Sequence, residues 1–146
     1  RGNHDDPAKC RLMPGYLGDF GYHEKKKMFW MGGAASIDRN QRIEGVDWWA
    51  DEELSTSQMN DAFDLYCKTK PEIVVTHDCP LPLYKEFFGI TIFFVSPPPP
   101  RALDAMLAQH TPKIWLFGHH HKRIDQIVNG VRFCCLGIGS TFRLTT

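Results

Sequence analysis

Lys113-Ile114-Trp115-Leu116-Phe117-Gly118-His119-His120-His121 is an apolar run that ends in a glycine and three histidines. A short apolar run stopped by Gly predicts a buried strand running out into a loop. In extended chain alternate side chains share a face, so His119 and His121 are expected on one side and His120 elsewhere, exposed. Two imidazoles at one strand end suit a transition metal. A metal needs further donors, and two other segments offer them. Val74-Val75-Thr76-His77-Asp78 is a second apolar run ending in His, and Arg1-Gly2-Asn3-His4-Asp5 opens the sequence.

In chain order, Gly2-Asn3-His4-Asp5, His77 and Gly118-His119-His120-His121 resemble three of the five blocks of the calcineurin-like metallophosphoesterases. Those blocks run D-x-H, G-D-x-x-D, G-N-H-[DE], a lone His after a strand, and G-H-x-H. The first two have no counterpart here. No D-x-H occurs, and Gly18-Asp19-Phe20-Gly21-Tyr22 lacks the second Asp. Both precede G-N-H-[DE] in the family, so the expectation is a C-terminal fragment of such a domain without its N-terminal strands. Gly32-Gly33-Ala34, Ser36-Ile37-Asp38-Arg39 and Val46-Asp47-Trp48-Trp49 are similar to segments of bacterial and phage members.

The resemblance implies an α/β fold, a truncated two-sheet sandwich with a mixed sheet flanked by helices. It implies a phosphoesterase acting on monoesters or diesters through metal-activated hydroxide at a site with two divalent ions, Mn, Fe or Zn. Two cations about 3.5–4 Å apart neutralise the phosphoryl oxygens and lower the pKa of the attacking water. By resemblance Asn3, His77 and His119 would bind one ion and His121 the other. His4 would face the leaving group as a catalytic residue, and Asp5 would accept a hydrogen bond from its other ring nitrogen. The bridging Asp is among the missing blocks. The 146-residue chain alone is therefore expected to hold one ion weakly and to be nearly inactive, and the complete protein to be a hydrolase.

The length suits one domain, residues 1–146, and 42% apolar with 12% aromatic residues is enough for a core. The 17 Lys and Arg balance the 17 Asp and Glu. Net charge thus does not point to nucleic acid or a nucleotide as substrate, although a local patch stays open. The expected partner is a phosphate-ester substrate. No stretch reaches the roughly 20 apolar residues of a membrane span. The five cysteines, Cys10, Cys67, Cys79, Cys134 and Cys135, show no C-x-x-C spacing, so reduced thiols and a cytoplasmic protein are expected. Cys79 reads as a buried thiol, with a sulfur ligand as the alternative.

Residues 6–24 read as irregular, with one turn of helix around Ala8–Met13. Lys25-Lys26-Lys27 reads as a solvated lead into a strand or as a phosphate-facing patch. Met28–Ala34 reads as a buried strand ending in glycines. Asp38 and Arg39 have two readings, ligand contact or a local turn with an exposed ion pair. Ser55-Thr56-Ser57-Gln58 has capping-box form, and Met59, Ala62, Phe63 and Tyr66 follow at helical spacing. That helix is expected to stop at Pro71, before a strand at Ile73–Val75. A short helix is expected at 81–88, then a strand or lid-like loop at 90–95. Ser96 and Pro97–Pro100 read as a stiff extended connector, with Pro100 opening a helix that carries Leu103, Met106 and Leu107. Ile124–Val128 and Val131–Leu136, joined by Asn129-Gly130, predict a hairpin. His23 and His110 read as structural.

Two rival classes bound the functional reading. A metal-free scaffold of the same fold, binding a partner protein, has no need of Asn3, His4, His77, His119 and His121 together. A small structural zinc module needs closely spaced ligands, which this sequence lacks.

Overall fold

The computed structural model describes residues 1–91 and 98–144. Its centre is one six-stranded sheet built from β1 (Phe20–His23), β2 (Met28–Met31), β3 (Ile73–Thr76), β4 (Ile114–Phe117), β5 (Ile124–Val128) and β6 (Val131–Cys135). The order across the sheet is β1-β2-β3-β4-β6-β5. β2, β3, β4 and β6 run parallel, and β1 and β5 are antiparallel edges. The class is thus α/β with a mixed sheet flanked by helices. A second sheet is not present among the described residues.

Side chains alternate along each strand, so Phe29, Met31, Val74, Trp115, Phe117, Phe133 and Cys135 all reach one core. Three helices bring Ala62 and Tyr66, Leu83 and Tyr84, and Leu103 and Met106 into that core. They are α2 (Thr56–Thr69), α3 (Pro82–Phe88) and α4 (Pro98–Gln109), and α1 (Pro7–Leu12) precedes β1. Tyr66 sits edge-on to Phe29 at 5.3 Å and gives its hydroxyl to the His110 carbonyl at 2.6 Å, so its polar tip is satisfied. On the opposite face Trp30, Ile73, Val75 and Ile114 are only half-buried. No helix among the described residues is long and apolar enough to cross a membrane.

Local chemistry explains the element ends. At α2 the Ser55 side chain accepts from the Gln58 amide and Gln58 reaches back to the Ser55 amide, the expected capping box. The helix stops at Thr69, with Lys70 left-handed ahead of Pro71. In the hairpin Asn129 (φ 49°) and Gly130 (φ 84°) both take positive φ, which matches the twist of the flanking strands. His110 donates Nε2–H to the Pro71 carbonyl, and His23 Nδ1 accepts from the Lys26 amide, so both are structural.

Some expectations are corrected. Residues 20–23 are not irregular: they form β1, paired antiparallel with β2. The strand is four residues long and contains Gly21, too little for a period-2 pattern, and its pairing partner fixes it. Pro98–Pro100 are not an extended connector but the first turn of α4. Amides at that turn have no helical acceptor, so proline loses nothing there. The expectation for Ser96 and Pro97, and most of that for 90–95, lies outside the described residues. Lys27 Nζ and Lys113 Nζ both pair with Glu72, at 2.7 and 2.6 Å. This basic group sits where β2, β3 and β4 begin, the opposite end of the sheet from His77 and Gly118.

Candidate metal centre

Parallel strands put the loops that follow them on one rim, where ligands of open α/β sheets gather. Backbone hydrogen bonds continue past the strand ends there. The His77 amide donates to the Met31 carbonyl (3.2 Å), Gly118 to His77 (3.1 Å) and Leu136 to Phe117 (2.7 Å). The Gly33 amide donates to the Arg1 carbonyl at 2.9 Å, which anchors residues 1–5 beside the glycine loop after β2. Gly2 lies directly against the His77 ring: a Cβ there would stand 2.5 Å from His77 Cε1.

Three of the expected ligands meet. Asn3 is 3% exposed, and its Oδ1 lies 3.0 Å from His77 Nε2 and 3.3 Å from His119 Nδ1. The two rings stand at 66° with centroids 5.2 Å apart. Burial, followed by the neighbouring His119, pushes His77 down to about 4, and burial likewise lowers His119. Both rings are held neutral, the form that lends a lone pair. Donor atoms around an ion with bonds of about 2.1 Å are spaced about 3.0 Å in an octahedron and about 3.4 Å in a tetrahedron. The two spacings from the Asn3 oxygen fall in that interval.

The remaining expectations fare differently. His121 is exposed on the same loop and takes no side-chain hydrogen bond among the described residues. His4 is exposed, with Nε2 3.3 Å from Asn3 Nδ2. The expected bond from the His4 ring to Asp5 is not formed. Asp5 Oδ2 instead accepts the Gly2 amide at 2.6 Å, because the tight loop turns that amide under the carboxylate. The amide hydrogen of Asn3 therefore takes over the tautomer role: in neutral His4 the Nε2 accepts and the proton sits on Nδ1.

The loop after β4 is not extended either. His119 (φ 61°) and His121 (φ 55°) are left-handed, and the His120 amide bonds the Gly118 carbonyl at 2.6 Å. His120 is consequently turned inward, with its side chain 9% exposed. It stacks on Phe88 at 4.0 Å, and its Nε2 lies 3.2 Å from Asp78 Oδ1 and 3.5 Å from Cys79 Sγ. Buried Asp78 also accepts the Tyr84 hydroxyl at 2.8 and 2.7 Å and the Cys79 amide at 2.7 Å. Burial acts to raise the Asp78 carboxyl, and the bonds from His120, Tyr84 and Cys79 outweigh it and hold it low.

Donor atoms of Asp78, Cys79 and His120 lie within 4.8 Å of one another, close enough to face one ion. The carboxylate is already saturated with donors, and burial pushes the Cys79 thiol well above its ordinary range, away from the thiolate a metal needs. This trio is a hydrogen-bonded latch between two loops. Asp38 belongs to a local turn: it pairs through both oxygens with Arg42 at 2.7 and 2.6 Å, not with Arg39.

Sequence reading missed Asp78, Tyr84 and the inward His120, and it missed Ser36 and Glu52, both buried. The one local signal was Asp78 directly after His77. No protein-family model matches the chain, and no curated protein matches it.

Proposed function

We propose that the chain is the part of a metal-dependent phosphoesterase that seats one divalent cation on Asn3, His77 and His119. The observation that carries this reading is the single carboxamide oxygen lying 3.0 and 3.3 Å from two imidazole nitrogens. A cation held there supplies Lewis acidity, neutralising phosphoryl oxygens and bringing the pKa of a water toward neutrality. His77 and His119 contribute neutral donors set at fixed spacing by neighbouring strands. His121, exposed beside them, is assigned to a second ion. Asn3 holds His4 with its proton on Nδ1, and from that atom His4 gives a hydrogen bond that stabilises charge on the ester oxygen of the leaving group. Asp5 shapes the loop through the Gly2 amide. Mn, Fe and Zn all suit this nitrogen and oxygen set.

Asn3, His77 and His119 bring no negative charge, so the affinity of the 146-residue chain for one ion is weak and its turnover small. Titration with Mn²⁺, following the free-ion electron paramagnetic resonance signal, tests the site. Parent chain should take up one Mn²⁺, and His119→Ala should lose it. Uptake unchanged by His77→Ala and His119→Ala would remove the proposal and leave the metal-free scaffold. Hydrolysis of p-nitrophenyl phosphate and its bis ester by the complete protein then distinguishes monoesterase from diesterase.

A further inference from the structure

A buried carboxylate stands behind the site without touching it. Glu52 is 2% exposed and has no salt-bridge partner among the described residues. Such a group is costly unless its lone pairs are used. Both of its oxygens go to one serine: Oε1 accepts the Ser36 amide at 2.7 Å, and Oε2 accepts the Ser36 hydroxyl at 2.6 Å. Ser36, 4% exposed, in turn receives Asn3 Nδ2 at 3.0 Å on that hydroxyl oxygen.

Counting hydrogens fixes the direction of this chain. A carboxylate only accepts, and a serine hydroxyl has one hydrogen to give. Ser36 spends it on Glu52, so toward Asn3 its oxygen can only accept. The amide nitrogen of Asn3 must then face Ser36. Its carbonyl oxygen is left facing His77 and His119. A flipped amide would set oxygen against oxygen at Ser36 and N–H groups at the two imidazoles.

The segment carrying Glu52 is itself clamped. Arg1 Nη1 donates to the Glu52 carbonyl at 2.7 Å. Gly33, at φ +82°, lets that carbonyl come close: a Cβ there would stand 2.6 Å from it. The residues that need the relay and the loop that supplies it are thus fastened at two points.

We infer that Glu52, acting through Ser36, is the positioning residue that holds the Asn3 carboxamide with its oxygen toward the cation. The inference rests on the metal-site reading given above. It adds a carboxylate, two hydrogen bonds away, that orients the ligand and raises the electron density on its oxygen. Outer groups of this kind are worth about 10- to 100-fold in metal affinity.

The test is a cycle of Mn²⁺ titrations on the 146-residue chain, with thermal unfolding in chelator to confirm that each variant folds. Ser36→Ala and Glu52→Gln should each weaken Mn²⁺ binding about 10-fold or more. In an Asn3→Ala background the same two substitutions should change affinity by less than about 2-fold, because their only route to the ion is gone. Equal losses in both backgrounds would mean a merely structural role and overturn the inference. So would parent-like affinity in Ser36→Ala and Glu52→Gln while His77→Ala and His119→Ala lose the ion. If the histidine variants also bind as the parent does, the metal site itself is refuted, and the relay with it. Glu52→Gln keeps the side-chain volume and carries the test if Ser36→Ala does not fold.

Discussion

His120 Nε2 lies 3.2 Å from Asp78 Oδ1, and this bond ties the loop after β4 to the loop after β3. Asp78→Ala removes the acceptor shared by His120, Tyr84 and the Cys79 amide, all in a buried setting. The expected cost is roughly 3 kcal/mol of folding stability, read from urea unfolding. His120→Phe keeps the stack on Phe88 and removes one of several donors, so it should cost only about 1 kcal/mol. Equal costs for the two would contradict the latch.

His4 and His119 should separate binding from chemistry. His119→Ala takes away a proposed donor, and Mn²⁺ affinity should fall sharply. On the proposed reading, His4→Ala should keep Mn²⁺ uptake and lower turnover of p-nitrophenyl phosphate by the complete protein about 100-fold. A His4 variant that loses the ion would move that residue into the coordination sphere.

Gly2→Ala places a methyl 2.5 Å from His77 Cε1. The ring has to move, and the overpacking should cost roughly 1–3 kcal/mol in thermal or urea unfolding. Because the ring that moves is a proposed ligand, Mn²⁺ affinity should fall in the same variant. A parent-like Gly2→Ala protein would show that the loop can slide.

Asp19 provides the acid dependence. Burial acts to raise its carboxyl, but Arg1 at 2.6 Å, the Tyr16 hydroxyl and Arg11 at 3.1 Å outweigh it and take it down to about 2. A carboxyl lowered on folding contributes stability that is present above its unfolded value near 4 and is lost as pH falls toward 2. The loss should be on the order of 2 kcal/mol. Asp19→Asn should be less stable at pH 7 by roughly 2 kcal/mol, since the Arg1 side chain is buried against it, and should approach the parent as pH falls to about 2. Urea unfolding at pH 2, 4 and 7 reads both effects.

Much of the sheet was legible because its signals are local. Val74-Val75 and Trp115-Leu116-Phe117 are apolar runs with breakers behind them, and Asn129-Gly130 names its own turn. β1 was not legible, because Phe20–His23 is a strand only by virtue of β2 beside it. The inward turn of His120 was hidden for another reason. Strand alternation was carried past Phe117, the last strand residue, into a loop where His119 and His121 have positive φ. Asn3, His77 and His119 were singled out from the order of motifs, and it is the topology that brings them together. Ser36 and Glu52 carried no readable sign, since a serine in a loop and a glutamate among acidic neighbours look solvated. Only the packing of loops 33 and 16 positions apart puts them behind Asn3.

The parallel pairing of β2, β3 and β4 also dictates when the site can come into being. Each of these strands finds its neighbour only after the chain has crossed over and returned, so the pairings close long loops and form slowly. Asn3 waits on His119, which is 116 positions away. On a ribosome, Asn3 would be made well before His119 and would stay without that imidazole until β4 had emerged. Nascent chains cut short of β4 hold Asn3 and His77 but lack His119, so the three residues cannot meet.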